Sequence, residues 1–169
     1  MNVTIINRRL LGIFIACLSL AAIAAVVWLV WPRPVVPAKI SQQYPATVFL
    51  PKESATTRVD RNTVKYDSKL KLLTMTLTAS GTKMVLSEQP TPDTFVDIPQ
   101  AYDKVISNMQ EYESFETSIG RVHLVKPQEL HGKQAAVLSS KGTLLFAKPD
   151  DNLDTDDWRR FFKGLTVLE

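Results

Sequence analysis

The stretch Leu72-Leu73-Thr74-Met75-Thr76-Leu77-Thr78-Ala79 decides the fold. In an extended chain Leu73, Met75, Leu77 and Ala79 lie on one side, and Thr74, Thr76 and Thr78 on the other. A period of two with one apolar face marks a strand with one side buried. Ser80-Gly81 supplies a tight turn, and Lys83 to Gln89 resumes in β-rich chemistry. Two such runs joined this closely predict an antiparallel hairpin, which Pro90 and Pro92 end.

Working outward, Ala46 to Leu50 is a short β-branched and aromatic run stopped by Pro51, and Thr63 to Tyr66 is a second short strand candidate. Downstream, Pro99 to Gln110 predicts a helix. Proline suits its first turn, and Tyr102, Val105, Ile106 and Met109 recur at i, i+3, i+4 and i+7 as one apolar stripe. Phe115 to Val125 alternates loosely and breaks at Gly120, which predicts two strands or a bulge. Gln134 to Ser139 and Thr143 to Ala147 flank Ser140-Lys141-Gly142, a second hairpin.

The last element is a helix. Asp154 or Thr155 caps it, Asp156 and Asp157 complement its positive end, and Arg159, Arg160 and Lys163 its negative end. Trp158, Phe161, Phe162 and Leu165 form its stripe, and Gly164 stops it. The expected fold class is therefore α+β: an N-terminal transmembrane helix followed by a twisted antiparallel sheet with two packed helices.

The membrane helix is expected at Leu10 to Trp31, 22 residues without charge or proline. At about 1.5 Å per residue such a run crosses a hydrocarbon core of roughly 30 Å. A cleaved signal peptide needs a shorter apolar core, and here the small cluster Ala21 to Ala25 is followed by further apolar residues through Trp31. Cys17 carries the same long apolar run after it, which argues against a lipoprotein signal. Leu10 opens the anchor, and Trp28 and Trp31 sit where indole rings favour the interface.

Arg8 and Arg9 precede the run, which places residues 1–9 in the cytoplasm and the rest outside. Residues 32–43, with Pro32, Pro34 and Pro37, read as an extended stalk. Residues 44–169 read as one extracytoplasmic domain, at the plasma membrane of a bacterial cell envelope.

Cys17 is the only cysteine, so the domain relies on no disulfide and no cysteine metal site. Between residues 32 and 83 stand nine Lys/Arg and three Asp/Glu; from 84 onward stand nine and fourteen. This asymmetry either attracts anionic headgroups or vanishes because the two halves interleave in one sheet. Interleaving is the expectation, since the charges never form a run of five. No basic and aromatic stripe points to nucleic acid.

Candidate chemistry is sparse. His123 and His131 are eight residues apart and lack the i, i+4 spacing of a helical zinc pair. Ser139 and Ser140 have no Gly-x-Ser-x-Gly around them. Glu111, Glu113 and Glu116 cluster, as do Asp150, Asp151, Asp154, Asp156 and Asp157, but without calcium-loop spacing. The six glycines are scattered, with no phosphate loop. Neither a cofactor nor a metal is expected, and the chain is read as no enzyme.

The order of elements carries a resemblance. The strand pair ending in Val85-Leu86-Ser87-Glu88-Gln89, a helix, Ile119-Gly120-Arg121-Val122, the hairpin Ala135 to Ala147 and a terminal helix are similar to sheet-and-helix domains of the PsbP/Mog1 type and, more remotely, of LolA/LolB-like carriers, here without a lipobox. The basic N-terminus, apolar run and Pro-rich stalk resemble small membrane-anchored bacterial proteins. The resemblance covers residues 44 to 168, implies binding or assembly, and carries over no site residue.

The expected function is a membrane-anchored interaction or assembly module. Its partners would be the lipid bilayer and a membrane or envelope protein, with Tyr112, Phe115 and Trp158 as candidate interaction surface. The alternative is a carrier of lipid or another hydrophobic ligand, with a cavity lined by residues such as Leu73, Met75, Leu77, Ile106 and Met109. A hydrolase using His123 or His131 ranks third.

Overall fold

Alternation along the chain dictates a sheet, and the computed structural model, which describes residues 34–168, is built around one. The strands are β1 (Phe49–Pro51), β2 (Thr57–Asp67), β3 (Leu72–Ala79), β4 (Thr82–Pro90), β5 (Glu111–Thr117), β6 (Gly120–Val125), β7 (Ala135–Ser140), β8 (Thr143–Pro149) and β9 (Leu165–Val167). The helices are α1 (Ala38–Gln43), α2 (Asp93–Asp97), α3 (Pro99–Asn108) and α4 (Thr155–Lys163). Seven strands form one sheet in the order β2-β3-β4-β8-β7-β6-β5, antiparallel at every pairing. β1 and β9 make a separate two-stranded ribbon.

The register fixes the two faces. Leu73, Glu88, Leu145, Leu138 and Val122 follow one another across the sheet. That face meets α4, whose Trp158, Phe161 and Phe162 are buried in the main core with Leu73, Met75, Leu77 and Phe49. Each large apolar side chain sealed there contributes about 1.5–3 kcal/mol. Asp154 caps α4 by accepting the Asp157 N–H at 2.7 Å, and the helix ends at Gly164. The opposite face carries α2 and α3, whose Ile106 packs with Val125, Ala135 and Val137 in a smaller second core.

The expected fold class is corrected in its helical part. Among the described residues four short helices stand where two packed helices were expected, sheet dominates, and β1 and β9 leave the main sheet for a ribbon of their own. Among the described residues no helix is long and apolar enough to cross a membrane. Leu10, Trp28, Trp31 and the whole expected anchor lie outside the described residues. The coarser α+β description holds.

The folded unit also begins earlier than Tyr44. It starts at Val35, Val36 is buried in the main core, and Ala38 to Gln43 is helical where a stalk was expected. Pro37 explains the helix: it sits at the N-cap, where its fixed φ and missing N–H cost nothing, and its carbonyl accepts from Ile40 N at 2.8 Å.

Strand order also settles the charge asymmetry. Every main-sheet strand of the basic half lies on one side, and β5 to β8 lie on the other, the halves meeting along β4 and β8. They do not interleave, so the basic residues of β2 and its hairpin with β3 stay together at one edge.

Candidate functional site

Because α2 and α3 cover only part of the second sheet face, a groove of about 340 Å³ is left beside them. Its floor is Val137, Leu144 and Phe146, with Ser87 and Gln89 from β4 supplying polar groups. The stripe predicted on α3 forms the wall: Tyr102, Val105 and Met109 face the groove, while Ile106 is buried beneath. Phe95 of α2 closes one side, its ring 5.5 Å from Tyr102 edge-on. The Tyr102 hydroxyl is buried beside the Ser139 backbone, and burial outweighs the lowering effect of that neighbour and pushes its pKa up to about 12. It therefore stays a neutral donor at any ordinary pH. Val96 (65 % exposed) and Ile98 (51 %) stand on the same α2–α3 corner.

An apolar concavity with few polar groups suits an uncharged chain or ring. Met109 lines it as expected of a carrier cavity, but Leu73, Met75 and Leu77 do not. They are packed solid on the other face, and the alternation of β3 puts them there. The groove instead uses the opposite face of β4 and β8.

Of the candidate interaction residues, Tyr112 is 42 % exposed, with Lys126 Nζ 4.9 Å from its ring centre. Phe115 and Trp158 are buried, their rings packed with Phe162 at 6.2 and 6.1 Å. The structure does not bring these three together as a surface. The α4 stripe that carries Trp158 is core packing.

The histidines and acids are accounted for locally. His123 Nδ1 donates to Glu111 Oε1 at 2.8 Å, with the His123 ring edge-on to Tyr102. His131 follows the turn Gln128–Leu130 in a left-handed conformation. Ser139 Oγ lies 3.4 Å from Thr91 Oγ1, and among the described residues no hydrogen bond joins it to His123. Glu113 accepts from Thr155 Oγ1 at 2.6 Å and meets Arg159, and Glu116 meets Arg121. Asp157 accepts from Ser80 Oγ at 2.6 Å and pairs with Arg160. Among the described residues no group of three or more His, Cys, Asp or Glu could hold a metal ion.

One polar residue escaped the sequence reading. Glu88 follows Met84 and Leu86 at the same inward period of β4 and is fully buried. Its Oε2 accepts from Phe49 N at 3.0 Å, and its Oε1 has no partner. Desolvation pushes its pKa up to about 8, against the lowering effect of the Phe49 bond. The carboxyl is thus largely protonated at neutral pH. Extending the Met84-Leu86 alternation by one step would have found it. Tyr44, whose hydroxyl is also buried, near the Thr143 side chain, sits on the same side of the core, edge-on to Tyr66 at 5.7 Å.

Comparison with known proteins gives no match to a family model, a curated protein or a solved structure.

Proposed function

We propose that this chain is a membrane-held binding module, carried on the extracytoplasmic side by the apolar segment at residues 10–31, and that it takes a hydrophobic ligand into the groove between α3 and the sheet. The groove carries the proposal. It is apolar, bounded by rigid elements, and within the size range of sites that enclose small ligands, about 300–1,000 Å³. Ser87 and Gln89 would orient a polar end. Binding without catalysis is the role assigned, since His123 is paired with Glu111 and neither histidine lines the groove.

Photolabelling of the full chain in membranes with a diazirine-bearing acyl probe tests this. Label should concentrate on peptides containing Phe95–Met109 and Leu144–Phe146, and Val105→Trp should remove it by filling the space. Label spread evenly, or unchanged in Val105→Trp, would sink the proposal.

A second role, docking of an envelope protein, draws support from Val96 and Ile98. These exposed apolar residues flank the groove, and a partner's side chain could enter it while covering them. Crosslinks from position 96 to one recurrent protein, with no acyl labelling, would favour that role.

A further inference from the structure

The turn between β2 and β3 reads Ser68-Lys69-Leu70-Lys71. Leu70 is 67 % exposed, more than any other large apolar residue found exposed among the described residues. Left in water, a leucine at such a tip forgoes the free energy that burial would give it. The tip is nonetheless held in one shape. Asp67 Oδ1 accepts from Lys69 N at 2.9 Å and Leu70 N at 3.1 Å, Lys71 takes φ 52°, and Asp67 pairs with Leu72 to close the hairpin. Asp67, just before the turn, keeps its charge but is outnumbered, with Lys65, Lys69 and Lys71 all exposed around it.

Register places this tip among other features. The β7–β8 turn at Lys141-Gly142 and the β5–β6 turn at Ser118-Ile119 lie at the same end of the sheet. The N-terminal segment arrives there too. Thr47 Oγ1 donates to Lys141 O at 2.9 Å, Thr143 Oγ1 donates to Thr47 O, and Tyr44 packs on Tyr66, one residue before the hairpin's closing pair. Tyr44 to Thr47 thus lie at the end of the sheet that carries the tip. Groove residues Leu72, Gln89 and Leu144 also come from the strand ends nearest it.

We propose that Ser68–Lys71 is a preformed contact for an anionic lipid surface, Leu70 entering the interface while Lys69 and Lys71 meet headgroup phosphates. Lysines are attracted to an anionic leaflet, and one inserted leucine adds its apolar transfer. The contact turns the Tyr44–Thr47 end of the domain to the bilayer and sets the groove's nearest strand ends beside it. It rests on the membrane-held reading but not on the groove's ligand.

The test uses the full chain with Cys17→Ser, and an environment-sensitive fluorophore on Ser68→Cys, so that Leu70 stays intact. A second labelled chain carries Asp150→Cys at the opposite end, where Asp150 N bonds Lys83 O. Both are reconstituted in phosphatidylcholine vesicles with and without about 30 % phosphatidylserine. The Ser68 probe should shift to the blue and brighten about twofold only with phosphatidylserine. Leu70→Asp, or Lys69→Glu with Lys71→Glu, should abolish the change, and the Asp150 probe should stay aqueous.

Flotation of the same samples separates the two readings. A chain that floats while its Ser68 probe stays aqueous overturns the tip contact and hands the tip to an acidic protein. A chain that neither floats nor responds overturns both. A chain that fails to float with phosphatidylcholine alone, yet floats and brightens with phosphatidylserine, supports the tip and removes the membrane-held reading.

Discussion

Glu88 of β4 accepts a hydrogen bond from the backbone N–H of Phe49 at 3.0 Å and so ties the β1–β9 ribbon to the main sheet through one buried carboxyl. Its folded pKa lies near 8, against 4.5 for an ordinary glutamate. The native state therefore holds a proton that the unfolded chain has released between those values, and stability must fall as pH rises across that window. The contribution is complete below about pH 4.5 and gone above about pH 8, with a slope of up to about 1.4 kcal/mol per pH unit between them. Urea denaturation at pH 5, 6.5 and 8 should show this fall, and Glu88→Gln should flatten it. A stability that rises from pH 5 to 8 in the parent and is unchanged in Glu88→Gln would exclude the carboxyl as its source.

Trp158 is expected to be the most costly single truncation on α4. Its ring packs with Phe161 and Phe162 at 6.5 and 6.1 Å and is fully buried. Trp158→Ala should lose about 3–5 kcal/mol by chemical denaturation, from lost transfer energy plus a cavity. Asp154→Ala, which removes only the cap, should lose about 1 kcal/mol. Equal losses in the two variants would mean that α4 is not held by its aromatic face.

Gly120 opens β6 at φ 129°, and a β-carbon there would meet Leu138 Cδ1 at 3.1 Å. Gly120→Ala combines a strained backbone with crowding and should cost about 1–3 kcal/mol. Gly81→Ala, at φ 81° but in open space, pays only the conformational part. The ordering of the two denaturation midpoints checks this.

Phe95→Asp is expected to put a charge into the groove wall without touching either core, because Phe95 is only half-buried. Acyl-probe labelling should fall tenfold or more, equivalent to about 1.4 kcal/mol, while the thermal midpoint moves little. Unchanged labelling would place the ligand elsewhere.

Residues 72–79 were read correctly because a strand with one buried face writes its period directly into the sequence. α4 was equally legible, since capping acids, an aromatic stripe and a glycine stop agree with one another. α2 has five residues and no period to detect, and β9 has three, so they follow from tertiary packing and pairing rather than local pattern; the run Ala46 to Leu50 announced β1, though not its partner. The groove was half legible. Its α3 wall was visible as the stripe through Tyr102 and Met109, but its floor depended on knowing which face of β4 and β8 the helix covers. Leu73, Met75 and Leu77 announced burial clearly and left open what would bury them.

The pairing of β1 with β9, Phe49 opposite Val167, has a consequence for how the molecule is made. Ribosomal synthesis delivers residues in order, and early segments can usually begin to fold at once. Here β1 must wait for β9, 116 residues further along the chain, before its edge is satisfied. Until Leu165–Val167 arrives, β1 offers unpaired backbone to any neighbouring strand. A chaperone or translocation step that shields residues 49–51 during that interval would matter more to the yield of this protein than to its final stability.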